Sequence, residues 1–286
     1  MSKGFLKALD GDFTQEGRRY RVDYFLELET SAGLEALPLN DKLGQAISLR
    51  FTGNIQCQGC KSPIKKIFQT GVCFRCAQKL ARCDLCIVKP ERCHFHQGTC
   101  REPDWGEAHC MQDHVVYLAN SSGIKVGITR VKNIPMRWID QGAIQALPIL
   151  KTSSRRLSGL IEVEIAKQIS DRTNWRKMLK NEVEWTDLSM HRDRMLSHIQ
   201  PALAQIANLN IGTIAAMPNA EPYEFEYPVL KYPTQILSRS FDKTPVISGE
   251  FLGVKGQYLL LDGEVLNLGK FAGYELVVSF THFVQK

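Results

Sequence analysis

No stretch of this chain approaches the ~20 consecutive apolar residues that a membrane-spanning helix needs, so no segment is expected to cross a bilayer as a helix. The opening, MSKGFLKALDGDF, lacks the apolar core of a secretory signal, and the expectation is a cytoplasmic protein. Acid is also in short supply: 30 Asp and Glu stand against 36 Lys and Arg, a net charge of +6. The shortage is local. Residues 121–180 carry 12 Lys/Arg and 4 Asp/Glu, and residues 51–100 carry 8 and 2. Clustered positive charge is the footprint of a polyanion, so the expected partner is nucleic acid, DNA or RNA, rather than solvent around an ordinary basic face. A hydrophobic content of 44% is ordinary for a globular protein, and 286 residues suffice for two or three small domains.

Disulfides are not expected of a reduced compartment, so the nine cysteines need another reason. Cys57-Gln-Gly-Cys60 is followed after twelve residues by Cys73-Phe-Arg-Cys76. Each such knuckle bends the backbone until both sulfurs face one centre, and four thiolates complete a tetrahedral Zn²⁺ with no open position. A structural zinc ribbon is therefore expected. A redox dithiol comes singly rather than in pairs, and Fe–S ligation by the same sulfurs stays open. Further on stand Cys83-Asp-Leu-Cys86, Cys93, Cys100 and Cys110, with His94, His96, His109 and His114 among them. A second zinc held by Cys86, Cys93, Cys100 and Cys110 is one expectation, with Cys83 and His96 as substitutes. That set lacks a second knuckle pair, so a metal-free core of small apolar thiols is an equal alternative.

The expected fold class is α+β, in four segments: β-rich 1–56, cysteine-rich 57–113, a central α/β module at 114–217, and β-rich 218–286. Arg19–Leu28 and Ala46–Ile55 alternate polar and apolar residues, the signature of half-buried strands. Val246–Val254, Gln257–Leu261, Val265–Leu268 and Tyr274–Phe280 repeat the signal near the other end. Asn40–Phe51 loosely echoes Asn267–Phe280; either the two ends are similar units or, the preferred expectation, both sets of strands close one barrel, which would remove exposed edges.

The central module carries the candidate chemistry. Val115–Ala119 and Ile124–Ile128 are two apolar runs joined by Asn120-Ser-Ser-Gly123, a hairpin. A helix is expected around Pro135–Gln141, with Gly142 as its stop, then a strand at Leu147–Leu150 and a helix over Leu157–Ile169. Helical character is also expected from 175 to 217, interrupted at Pro201.

This order resembles the GIY-YIG nuclease superfamily over roughly sixty residues. Val115-Val116-Tyr117 corresponds to the first name-giving triplet and Lys125-Val126-Gly127 to the second, with lysine where most members have tyrosine. The helical arginine corresponds to Arg137, the glutamate of the next helix to Glu162, and the late asparagine to Asn174, twelve positions further on. The whole chain also resembles an uncharacterised bacterial family that joins cysteine clusters to such a module. The resemblance implies a metal-dependent nucleic-acid phosphodiesterase. Glu162 would hold one Mg²⁺ or Mn²⁺, Arg137 would grip the scissile phosphate, Tyr117 would position or deprotonate the attacking water, and Lys125 and Asn174 would assist. Arg130, Lys132, Arg155, Arg156, Arg172 and Arg176 would meet the nucleic-acid backbone. A zinc-containing binding protein on a nuclease-derived scaffold is the alternative.

Overall fold

A computed structural model describes residues 1–169 and 172–281. The chain opens with strands β1 (Ser2–Glu16), β2 (Arg19–Thr30), β3 (Gly33–Pro38), β4 (Ala46–Gln56) and β5 (Pro63–Ile64). Helices α1 (Phe74–Lys79) and α2 (Pro103–His109) belong to the cysteine-rich region. The central module supplies β6 (His114–Asn120), β7 (Ile124–Arg130), α3 (Met136–Ile139), β8 (Gln145–Thr152) and α4 (Arg155–Ala166). Helices α5 (Trp175–Leu179) and α6 (Leu188–Ala207) follow. Then come β9 (Ile214–Ala216), β10 (Tyr223–Glu226), β11 (Leu237–Arg239), β12 (Val246–Lys255), β13 (Tyr258–Leu261), β14 (Glu264–Asn267) and β15 (Tyr274–Thr281).

All fifteen described strands join one sheet, ordered β11-β14-β13-β12-β4-β15-β1-β2-β10-β8-β6-β7, with β3, β5 and β9 attached to β2, β4 and β8. The two ends of the chain do meet: β15 lies antiparallel between β1 (Ser2 opposite Val278) and β4 (Phe51 opposite Leu276). The echo between Asn40–Phe51 and Asn267–Phe280 is thus two neighbouring strands, each entered from a 3-10 turn. The expected barrel does not form. The sheet is open, ending at β11 on one side and β7 on the other, because the central module's three strands continue the row through β10 instead of letting it return on itself. The fold is mixed α and β around that sheet.

Strand β6 is buried at every residue and divides the interior in two. Its odd-numbered Val115, Tyr117 and Ala119 enter a core shared with the terminal strands, with Trp138 and Ile139 of α3. Its even-numbered Val116 and Leu118 enter a second core with Val126, Ile128, Leu147 and Ile149, roofed by α4 and α6. Alternation of side chains across a strand produces this division. Helix α4 starts where Ser154 Oγ accepts a hydrogen bond from the Leu157 amide (3.3 Å), and it buries Leu157, Ile161 and Ile165, one face at helical spacing. Helix α6 runs through Pro201 without ending. Proline removes one backbone hydrogen bond there, but Leu188, Met195, Ile199 and Ile206 anchor both halves in the second core. Among the described residues no helix is long and apolar enough to cross a membrane.

Leu276 is fully buried in β15, between β4 and β1, whereas Val246, at the start of β12, is 48% exposed. Leu276→Ala is expected to cost about 2–5 kcal/mol in urea unfolding, and Val246→Ala within about 0.5 kcal/mol.

Candidate functional site

Strand β4 delivers the chain directly into Cys57, which is fully buried, and the second knuckle leads into α1. The Cys57 sulfur accepts from the amides of Gly59 (3.4 Å), Cys60 (3.5 Å) and Cys73 (3.1 Å), the fold-back that a knuckle requires. The Cys73 sulfur caps α1 by accepting from the Cys76 amide. A side chain at Gly59 would put its Cβ 3.0 Å from the Cys76 sulfur. The sulfurs of Cys57, Cys60, Cys73 and Cys76 all lie within 4.8 Å of one another. Zinc–sulfur bonds of 2.3 Å imply tetrahedral edges of about 3.8 Å, and Cys60 and Cys73 sulfurs are 3.9 Å apart. The four residues fit a metal ion such as zinc. Hydrogen bonds from Ser62 bring the Cys60 thiol down to about 6, while burial pushes Cys76 up to about 12. Cys83 packs beside this centre with Cys57 and Val72 and is not one of the four.

Cys86, Cys93, Cys100 and Cys110 line one small space of about 10 Å³. Asp84 and His94 border it, and their ligand atoms lie within 4.8 Å of each other and of the Cys86 sulfur. His96 is exposed and is not among the lining residues.

The central module forms a cleft of about 460 Å³ along β7, the strand at the edge of the sheet. Tyr117, Lys125, Arg137 and Glu162 all line it, although up to 45 residues separate them in sequence. Arg130 and Arg155 line it too, so four cations face one carboxylate. The hairpin register explains part of this. Tyr117 stands opposite Gly127, and residues opposite one another share a face, as does Lys125 two positions away. A Cβ on Gly127 would lie 2.5 Å from the Tyr117 hydroxyl oxygen. The glycine of the second triplet therefore makes room for the ring of the first. The Tyr117 hydroxyl donates to Gln141 Oε1 (3.2 Å), and its ring meets Trp138 edge-on at 5.5 Å. Burial pushes the Tyr117 phenol above its usual value, against Arg137 and Gln141, and Glu162 adds to the rise. Glu162 faces the cleft, while Glu164, about 200° around the helix, pairs with Lys167 at 2.6 Å.

Other candidates sit elsewhere. Asn174 is exposed and outside the cleft lining; its side-chain oxygen accepts from the amides of Arg176 and Lys177, capping α5. Arg172 and Arg176 are exposed in the same region, and Arg176 lies over the Trp175 ring at 4.3 Å. Lys132 is exposed just beyond β7. Arg155 is a strut rather than a free surface charge. Its guanidinium donates to the Ile87 carbonyl (2.6 Å), its amide donates to the Cys110 carbonyl (2.8 Å), and burial lowers its pKa. Arg156 is half-buried, with its Nε fully enclosed. Reasoning from sequence did not find Gln141 or the wall made by Ile87, Val88 and Pro90. Gln141 had only its place at the end of the expected helix as a signal, and the wall had none.

Residues 44–276 match the family model described as "Protein of unknown function (DUF2797)", and the chain belongs to that family. No curated protein and no solved structure matches it.

The knuckle geometry predicts at least one zinc per purified chain by elemental analysis, with a lower content and melting temperature in Cys60→Ser. A second expectation concerns His114, fully buried where the cysteine region enters β6. Its Nδ1 faces the Gln112 carbonyl at 2.7 Å, and burial brings its pKa down to about 4. A depressed value means that the neutral ring stabilises the fold fully above its usual pKa near 6.5. That stability is lost as pH falls from about 6.5 towards 4, by about 3 kcal/mol at most. Urea midpoints across that range, compared with His114→Phe, should show the slope flatten in the variant.

Proposed function

We propose that this member of the family is a metal-dependent nucleic-acid phosphodiesterase of the GIY-YIG kind, with zinc in the four-cysteine centre holding shape. One observation carries the proposal: Tyr117, Lys125, Arg137 and Glu162, drawn from two strands and two helices, line a single cleft with a cationic surplus. Phosphodiester hydrolysis needs negative charge neutralised on the phosphoryl oxygens, a water aligned for attack and help for the departing oxygen. Glu162 would hold one Mg²⁺ or Mn²⁺, hard cations that accept one carboxylate and fill their remaining positions with water and phosphate oxygens. The cation would supply Lewis-acid stabilisation of charge.

The remaining work falls to the chain's own side chains. Arg137, exposed on α3, presents a planar fork suited to bidentate contact with a phosphate. Arg130 adds a second guanidinium on the same cleft, and Lys125 contributes a compact charge from β7. Tyr117 keeps its proton at neutral pH, because burial raises its pKa. This supports a positioning role for its hydroxyl, held by Gln141, rather than a role as base. Arg155 holds the wall and adds field rather than direct contact. The same raised Tyr117 favours a second reading, in which the cleft binds nucleic acid without cleaving it.

Incubation with mixed DNA and RNA structures in Mg²⁺ or Mn²⁺ separates the two. Cleavage should appear with metal, and Glu162→Gln should reduce it by about 10²–10³ or more, on the scale of losing one group that stabilises transition-state charge. Binding by that variant should persist and weaken with salt, by a log–log slope of about −0.9 per phosphate contacted on duplex DNA. Binding without cleavage in the unaltered protein would leave the second reading, and absence of binding at low salt would remove both.

A further inference from the structure

The segment 84–113 has almost nothing apolar to hold it together. It consists of three three-residue 3-10 turns and the short helix α2. Its buried positions are Pro90, Cys93, Gly106 and Cys110. Among the described residues, none of the molecule's four hydrophobic clusters draws on it. Chain segments with so little core are tied by disulfides or metal. Yet this segment meets the rest of the protein closely. The backbone of Glu91 and the ring of Pro90 lie against α4, where a Cβ on Gly159 would come within 2.7 Å of both. Ile87, Val88 and Pro90 then form one wall of the cleft that also holds Glu162.

Four cysteines supply a tie. Cys86, Cys93, Cys100 and Cys110 come from four different places in the segment and surround one space of about 10 Å³, room for about one water or small ion. We propose that these four thiolates hold a second Zn²⁺, and that its loading fixes the Ile87–Pro90 wall against α4. Asp84 and His94 border the same space but are otherwise engaged. Asp84 accepts from Arg101 (2.6 Å) and from the Cys86 amide (3.3 Å), and the His94 ring lies between Thr99 (2.7 Å) and Asp84 (3.7 Å). Among the described residues, Asp84, Cys86 and His94 are the part of this lining whose ligand atoms all lie within 4.8 Å of one another, so binding by the four thiolates requires their sulfurs to draw in around the ion. With four thiolates the centre has no open position, so it is structural. The proposal concerns architecture and does not depend on the reaction assigned to the cleft.

Elemental analysis of the full chain, purified under thiol reductant, should give two zinc ions per chain; one would overturn the proposal. Cys93→Ser and Cys110→Ser should each fall from two to one, the retained zinc reporting an intact first centre, while His94→Ala keeps two. Loss in His94→Ala with retention in Cys110→Ser would overturn the four-thiol assignment. If the serine variants are insoluble, replacement of zinc by Co²⁺ in the unaltered chain decides. Thiolate-to-cobalt charge-transfer absorption should double between one and two equivalents. A second equivalent without that increment would refute the thiol set. Trypsin supplies the test of the wall: cleavage after Arg92 should be slow in the two-zinc chain and at least tenfold faster in Cys110→Ser. Equal rates would overturn the link to the wall.

Discussion

Strand β6 has no face to spare. Burial of all seven residues forces its odd and even side chains into separate cores, and the positions of the other elements follow from that division. α3 belongs to the first core through Trp138 and Ile139, and α4 to the second through Leu157, Ile161 and Ile165. The edge strand β7 lies between them, which is why a cleft along it can gather an arginine from one helix and a glutamate from the other. A slip of one residue would exchange every side chain on β6, moving Tyr117 into the aliphatic core beneath α4 and α6. The pairing of Tyr117 with Gly127 opposes that slip, since any other neighbour would bring a side chain into the ring.

The cysteine-rich region occupies the place of a conventional wall on one side of that cleft. Arg155 joins the two, giving its guanidinium to the Ile87 carbonyl and its amide to the Cys110 carbonyl. A residue that the charge pattern marks as a contact for nucleic acid is therefore, in large part, a fastener between a helix and a segment with no core of its own.

Much of this was legible in the residues. The hairpin, the face of α4 and the Cys57–Cys76 spacing are local patterns with fixed physical periods, and each forms close to where it was expected. What escaped was non-local or locally disguised. Strand β1 runs from Ser2 to Glu16, but a register shift between Leu6 and Ala8 breaks the alternation by which a strand is recognised. Pro201 signals a break that tertiary packing overrides. Asn174 has the sequence position of a site residue, yet it stands where a helix needs a cap, and its oxygen serves the Arg176 and Lys177 amides. The open sheet depended on β10, only four residues long, joining β2 to β8; no periodicity is readable in so short a strand.

The place of β15 has a temporal consequence. It fills an interior slot between β1 and β4, strands that are complete by residue 56, while β15 itself ends at Thr281. At synthesis rates of about 5–20 residues per second, the gap between these points lasts roughly 10–45 s. Throughout that interval the inner edges of β1 and β4 have no native neighbour, and unpaired edges recruit other strands. The nascent chain must keep two sticky borders apart until β15 emerges from the ribosome. The core between β1 and β4 therefore cannot close before β15 is available, whereas the hairpin and α4, local in sequence, can be in place well before it.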